Sequence, residues 1–244
     1  MKLIRRRLAA VLDAIPCPRR LFLPAVLLIP MTATALTFQE VELECPIGGE
    51  KFKTNLAASG SIFGTYLDFR PFGAIATPFP LARCPGNGFV MFKESFTPDE
   101  LKTLEAFVAS PAYQGLRPET NYYLASRLLA VLDAPPQQIA QALVRASWEA
   151  TDADKERRYR EEALSEFDKL TRDESRLEKW IYDQLLAGEL ERRLGQFDRA
   201  AARFNAILEA PNTPTKIQAR IARFQLSLIA KQDTKSHLMS SMPD

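Results

Sequence analysis

The sequence predicts an α+β protein, mainly α, in which a small β-rich module carrying two cysteine turns precedes an array of antiparallel helix pairs. Three observations predict it. Cys45-Pro46-Ile47-Gly48-Gly49 and Cys84-Pro85-Gly86-Asn87-Gly88 echo each other across a stretch dense in glycine, proline and aromatic residues. From Thr97 onward strand signals vanish and apolar residues recur at helical spacing. Prolines and glycines then cut that half into helices short enough to stack side by side. With 46% hydrophobic and 25% charged residues over 244 positions, the composition is that of a folded protein with room for more than one domain.

Residues 1–35 have the parts of a secretory signal peptide. Lys2, Arg5, Arg6, Arg7, Arg19 and Arg20 precede an apolar run over 21–30, and Ala33-Thr34-Ala35 supplies a small-x-small cleavage site. The run is too short, and too interrupted by Pro24 and Pro30, to span a bilayer as a helix of about 20 residues. The expectation is export to the periplasm or beyond, with a mature chain that starts at Leu36 and has no transmembrane span. If Met31 is the true start, the protein is cytoplasmic instead. Taking the six basic residues of the leader and its one acid, Asp13, from the 32 basic and 30 acidic residues of the chain leaves 26 and 29. A slightly acidic chain lacks the concentrated positive face that a phosphate backbone needs, which excludes nucleic acid as a partner. Cleavage also removes Cys17 and leaves Cys45 and Cys84 as an even pair, which an oxidising compartment would join.

Over 36–50, Phe38, Val41 and Leu43 alternate with polar residues in the period of a half-buried strand that runs into Cys45. Residues 51–83 combine β-formers (Phe52, Ile62-Phe63, Tyr66-Leu67, Phe69) with breakers (Pro71, Gly73, Pro78, Pro80), so short strands and ordered loops are expected. Phe89-Val90-Met91-Phe92 reads as one more short strand. Thr97-Pro98-Asp99-Glu100 then opens a helix with a capping residue, a first-turn proline and a glutamate at the capping-box position. This bounds the β-rich module at 36–96.

Leu101, Leu104, Phe107 and Val108 carry the first helix to Ser110-Pro111. Four more are expected over 118–133, 136–151, 153–171 and 174–193, with apolar stripes through Leu128-Leu129, Leu143, Leu164 and Leu185-Leu186. Trp148 and Trp180 fall on these stripes and read as core. Gly195 ends the last of them. Asp198 restarts the pattern through Ala200 and Phe204 until Pro211 and Pro214, and a final helix over roughly 214–231 carries Ile221 and Leu228. The helical domain is thus 97–231, and the polar residues 232–244 form a flexible tail.

Gly188, Gly195, Ala200 and Phe204 match the glycine, turn, alanine and aromatic positions of a tetratricopeptide repeat. Gly195 supplies the turn, Ala200 allows close approach of the helices and Phe204 fills the gap between neighbours. The helical half is therefore a tetratricopeptide-like array whose other repeats are degenerate, since one unit cannot bury its own faces. The two cysteine stretches resemble halves of a zinc knuckle, C-P-x-C-G, with Gly48 and Asn87 in place of the second cysteines.

With Leu67-Asp68-Phe69-Arg70-Pro71 between the knuckles, Ala142-Leu143-Val144-Arg145-Ala146-Ser147-Trp148, and the run from Gly188 to Gly195, the chain resembles domain-of-unknown-function family 2225. This is an uncharacterised bacterial family joining zinc-ribbon-like Cys-Pro knuckles to a tetratricopeptide-like half. The resemblance spans about residues 40–210 and implies no reaction. It implies four thiolates suited to zinc where the knuckles are intact. Here two cysteines remain, the only histidine is His237 in the tail, and structural zinc takes four ligands, so the module is a degenerate zinc ribbon without metal.

For Cys45 and Cys84 three states stay open: a structural disulfide, which the sequence favours, free buried thiols, or a metal site completed by a partner chain. A redox-active pair is disfavoured, because neither cysteine has a Cys-x-x-Cys partner. Gly48, Gly49, Asn87 and Gly88 are the turn residues of the knuckles. Asp68 and Arg70 form an ion pair that holds the intervening loop, or a binding pair. No hydroxyl or thiol is matched with a histidine base, so no catalytic residue and no cofactor is assigned. These readings describe a non-catalytic module that binds a protein or peptide partner on the concave face of its helices. The alternatives are a cytosolic degenerate zinc-ribbon protein that binds metal as a dimer, and an enzyme of unrecognised type around Asp68 and Arg70.

Overall fold

The computed structural model describes residues 36–209 and 215–243. Among these residues are eight α-helices and two small antiparallel two-stranded sheets, an α+β fold that is mainly α. The leader expected over 1–35 and the breaks expected at Pro211 and Pro214 lie outside the described residues.

Strands β1 (Thr37–Glu44) and β2 (Lys51–Ser59) pair around the first cysteine turn, with Leu43 opposite Phe52 and Glu44 opposite Lys51. The alternation is used only at that end. Phe52 is buried, whereas Phe38 at the far end is 55% exposed, because the hairpin runs on past anything it can pack against. Strands β3 (Ser61–Thr65) and β4 (Pro71–Ala74) form the second sheet. The strand expected over 89–92 shrinks to a single bridge between Arg83 and Val90. Phe89 and Val90 are both fully buried, so consecutive side chains pack into the core where a strand would alternate.

Helix α1 (Pro98–Val108) begins with a complete capping box: Thr97 Oγ1 accepts from the Glu100 N–H, and the Glu100 carboxylate accepts from the Thr97 N–H at 2.8 Å. Ser110-Pro111, read as a stop, also starts a short helix α2 (Pro111–Gly115) by the same cap-then-proline chemistry. Then come α3 (Asn121–Val131), α4 (Pro136–Glu149) and α5 (Ala153–Phe167). A 3-10 turn (Glu174–Arg176) leads into α6 (Leu177–Arg193), followed by α7 (Phe197–Glu209) and α8 (Lys216–Ile229). From α3 onward each helix packs on the next in the chain. The connections 132–135, 150–152 and 194–196 are short enough to make those neighbours antiparallel.

Three hydrophobic cores follow from this stacking. The first joins the cysteine turns (Cys45, Ile47, Cys84, Phe89) to Leu104, Tyr113 and Leu124 of α1–α3. The second, with Leu143, Tyr159, Phe167 and Leu186, lies among α3–α6. The third, with Leu185, Phe204, Ile207 and Ile221, lies among α6–α8, and Leu67 and Met242 enter it from outside the helices.

Met242 marks a correction. The tail expected to be flexible from 232 onward is docked through residue 243. His237 accepts from the Leu67 N–H at 2.9 Å, Leu238 bridges to Tyr66, and the Met242 and Pro243 carbonyls accept from Arg220. Its polar composition hides a few anchors, each spent on a specific partner.

Candidate functional site

The two cysteine turns are built alike. In each, the cysteine N–H donates to the carbonyl five residues on, Cys45 to Glu50 and Cys84 to Phe89, both at 2.8 Å. The N–H four residues on donates back, Gly49 to Cys45 at 3.1 Å and Gly88 to Cys84 at 3.0 Å. Such a closure needs a left-handed residue, and Gly49 (φ +67) and Gly88 (φ +77) supply it. The buried Cys45 and Cys84 sulfurs lie at disulfide distance, 2.07 Å, with Cα atoms 5.7 Å apart.

Gly48 and Asn87, read from the sequence as replacing second cysteines, behave differently from each other. Asn87 Oδ1 accepts from the Phe89 N–H at 2.9 Å, and its Nδ2 reaches across to donate to the Ile47 carbonyl at 2.8 Å. Gly48 has φ +89, so the first turn carries two consecutive left-handed residues where the second carries one. Helix α2 buttresses the second turn: Tyr113 Oη donates to the Gly88 carbonyl at 2.8 Å and Gln114 Nε2 to the Asn87 carbonyl at 3.0 Å. Among the described residues, no group of three or more His, Cys, Asp or Glu is placed to hold a metal ion.

Asp68 and Arg70 lie on a tight turn pressed into the helices. Phe69 is left-handed (φ +62) and the Tyr66 N–H donates to the Arg70 carbonyl at 2.9 Å. Asp68 Oδ1 accepts from the Arg70 N–H at 3.1 Å, while the guanidinium Nε is 4.0 Å from Oδ2 and the group lies over the Tyr66 ring, 4.5 Å from its centroid. Leu67 is fully buried, and Phe69 stacks on Tyr182 of α6 at 4.2 Å between centroids. Asp68, itself buried, acts on Arg160 of α5. Burial and Arg193 lower the pKa of that guanidinium, and Glu156, Asp68 and Glu189 oppose them.

Beside this turn a buried arginine holds the tail. Arg192 Nη2 is 2.7 Å from Glu189 Oε2, and its Nε donates to Gln225 Oε1 at 2.7 Å. The guanidinium also donates to the Asp233 carbonyl and, at 2.9 Å, to that of Lys235. Arg192 and Glu189 are both 0% exposed. Burial pushes the Glu189 carboxyl up, against the charge of Arg192 and the hydrogen bond from Gln225.

The four residues read from the sequence as a repeat signature lie where α6 and α7 approach each other. A Cβ on Gly188 of α6 would meet Phe204 Cζ of α7 at 2.6 Å, Ala200 and Phe204 are fully buried, and Gly195 (φ +74) makes the turn between the two helices.

Past the Phe69–Tyr182 stack, the face shared by α4 and α6 stays open as a groove. A cavity of about 270 Å³ is lined by Gln137, Leu170, Asp173, Arg176, Lys179, Trp180 and Asp183. A second, of about 510 Å³, shares Gln137, Arg176 and Lys179 with it and continues past Gln141 and Tyr182 to Gln218 of α8. Trp180, expected in the core, is half-buried and forms part of the wall. On the floor, Asp183 Oδ2 accepts a short hydrogen bond from Gln137 Nε2, and Oδ1 has no hydrogen-bond partner. Burial raises the Asp183 carboxyl pKa, with Gln137, the charge of Lys179 and Gln141 acting the other way. Apart from Trp180, read from the sequence as core, none of these groove residues stands out in the sequence. Their one signal is a polar residue, Asp183, close to the apolar stripe of α6.

A family model described as an uncharacterized protein conserved in bacteria (DUF2225) matches residues 38–229. No curated protein and no solved structure matches the chain.

Proposed function

We propose that this chain, which belongs to the bacterial DUF2225 family, is a non-catalytic module that holds a peptide segment of a protein partner in the groove across α4 and α6. The observation that carries the reading is the groove: two neighbouring cavities that share Gln137, Arg176 and Lys179 in their walls are lined by residues of α4, α6 and α8. The α6–α7 unit supports it, because Gly188, Gly195, Ala200 and Phe204 are used as a tetratricopeptide-like repeat would use them. Arrays of that kind present a concave surface to extended ligands. The groove's own polar floor, where Gln137 donates to Asp183, carries the reading beyond fold analogy.

In this reading the β-rich module is a degenerate zinc ribbon in which a covalent bond takes the place of the ion. The matching hydrogen-bond closures of the two turns and the sulfur separation support it. The protein is exported, a proposal supported by the basic, apolar and small-residue order of residues 1–35 and by a cysteine pair suited to an oxidising compartment. Mass spectrometry of the secreted protein without reductant should find an N-terminus at Leu36 and a mass lighter by two hydrogens than the reduced form.

The groove is tested with peptides selected on the protein from a random display library. Selected peptides should lose at least about tenfold in affinity, roughly 1.4 kcal/mol, when the exposed Lys179 at the junction of the cavities is replaced by tryptophan. Binding that survives Lys179→Trp in a variant of unchanged melting temperature overturns the groove as the binding site.

A further inference from the structure

Asp183 is 3% exposed and lines the cavity, yet one of its oxygens has no donor. Buried acceptors are almost always satisfied, and one that is not, at the floor of an open cavity, points to an occupant that donates. The neighbouring side chains do not fill this role. Gln137 is spent on Oδ2, and the Gln141 amide, close enough to help hold the carboxyl down, does not reach hydrogen-bond geometry with Oδ1. Arg176 at the rim is turned to Asp173, Nε to Oδ2 at 2.8 Å. Lys179 acts on Asp183 through its charge but stays at the exposed edge, where its long stem lets it give way.

The shape and walls of the cavity narrow the occupant further. About 270 Å³ admits one long side chain, and Leu170 and the Trp180 ring offer apolar surface to an aliphatic stem. The Trp180 ring already takes a cation on one face: the Arg172 guanidinium carbon lies 5.2 Å from its centroid. A buried carboxylate that burial pushes toward its neutral form is drawn back by any donor, and a cationic donor draws it back more strongly than a neutral one because its charge adds to the hydrogen bond.

We infer that this cavity is a specificity pocket for one basic side chain, lysine or arginine, of the bound peptide, with Asp183 Oδ1 as the acceptor; the inference rests on the peptide-binding reading of the groove. The occupant's ammonium or guanidinium donates to Oδ1 and its stem lies along Leu170 and Trp180, while the rest of the peptide follows the groove toward Tyr182 and Gln218.

The test uses n-butylammonium and n-butylguanidinium, with n-butanol as the neutral probe, on isotope-labelled protein, following the Trp180 indole N–H by NMR. Either cation should shift that signal saturably, with butanol at least about tenfold weaker, and Asp183→Asn, which keeps the shape and removes the charge, should abolish the preference. Butanol binding as well as the cations, or an unchanged preference in a folded Asp183→Asn, overturns the pocket. The cation-against-butanol comparison on the wild type decides the matter even if the variant does not fold. The selected peptides separate the two readings. If they bind equally well after norleucine replaces their basic residue, the pocket fails and the groove stands. If the cations bind as expected while no peptide does, the pocket's chemistry stands and the peptide-binding reading fails.

Discussion

Asn87 ties the two cysteine turns together, its Nδ2 donating to the Ile47 carbonyl at 2.8 Å while its Oδ1 accepts from the Phe89 N–H at 2.9 Å. Read from the sequence as a replaced second cysteine, it fastens one turn to the other by hydrogen bonds. The first turn has no such substitute. Gly48, at the equivalent position, has φ +89, a conformation in which any residue with a Cβ is strained.

Replacing Asn87 by alanine leaves the Ile47 carbonyl and the Phe89 N–H without their partner, and each unsatisfied buried group costs about 1–3 kcal/mol. The urea midpoint should fall accordingly, with Asn87→Asp falling less because it keeps the acceptor for Phe89. Gly48→Ala should cost roughly 1–2 kcal/mol through backbone strain alone. Both effects should be seen in the unfolding of the whole chain, because the cysteine turns share a core with α1–α3. An Asn87→Ala protein as stable as wild type would mean the bridge is not made in solution.

Cys45 and Cys84 are separated by 39 residues, and closing a loop of that length stabilises by about 3–4 kcal/mol on the chain-entropy estimate. The Cys45→Ala, Cys84→Ala double variant should therefore lose most of that amount against the oxidised wild type and little against the reduced one. Equal stability of variant and oxidised wild type would show that no bridge constrains the unfolded chain.

Gly188 is the point at which α6 and α7 come closest. In an exposed helix, Gly→Ala stabilises by up to about 1 kcal/mol through the backbone. Here the new methyl would sit 2.6 Å from Cζ of a Phe204 ring that is 0% exposed and has no room to yield. Overpacking of this kind costs about 1–3 kcal/mol, so Gly188→Ala should lower the melting temperature. A rise would place the two helices farther apart than described.

Much of the helical half was legible because its signals are local: the Thr97 to Glu100 capping box, the Pro136 start and the Gly195 turn each announce a boundary within four residues. Helix α2 was not, since five residues are too few for a periodic pattern and its cap reads equally well as a stop. Phe89 to Phe92 misled because a short apolar run does not distinguish a paired strand from a packed segment. The groove and the docked tail were hidden for a different reason. Gln137 and Asp183 lie 46 positions apart, and Arg192 and Glu189 meet Gln225 at separations of 33 and 36 positions. Only tertiary packing brings such groups together, and no spacing rule records it.

Arg192 shows what that packing is worth. Arg192→Met keeps the apolar stem but leaves the buried Glu189 carboxylate with only the more distant Arg193, 3.9 Å away, as a counter-charge, a loss of up to about 3–5 kcal/mol by analogy with other broken buried pairs. It also removes the donors that hold the Asp233 and Lys235 carbonyls, so the tail should become open to limited proteolysis before the helices unfold. Glu189→Gln in the same background should recover part of the stability without restoring the tail. Protection of the tail in Arg192→Met would show that Leu238 and Met242 dock it unaided.

Buried tyrosines make stability fall at high pH, with Tyr113 and Tyr159 carrying the largest shifts and Tyr122, Tyr123 and Tyr182 raised in the same direction. Tyr113 and Tyr159 are both pushed up to about 12 from an ordinary 10.0, burial being the largest cause in each. Arg83 and Arg117 pull Tyr113 back, while the hydrogen bond and the charge of Glu119 push Tyr159 further up. A group whose folded pKa is raised stabilises fully below its unfolded value, and the effect is lost as pH rises through the folded value. Stability against urea should therefore decline between about pH 10 and pH 12, where the unfolded chain has released protons that the folded chain still holds. Tyrosinate absorbance should show a late fraction of the titration that moves to the ordinary range on unfolding. Tyr113→Phe and Tyr159→Phe should each flatten the decline, and Tyr113→Phe should also cost stability at neutral pH, because its hydroxyl is the donor to the Gly88 carbonyl in the second cysteine turn. A pH profile equally steep in both variants would assign the alkaline loss to other groups.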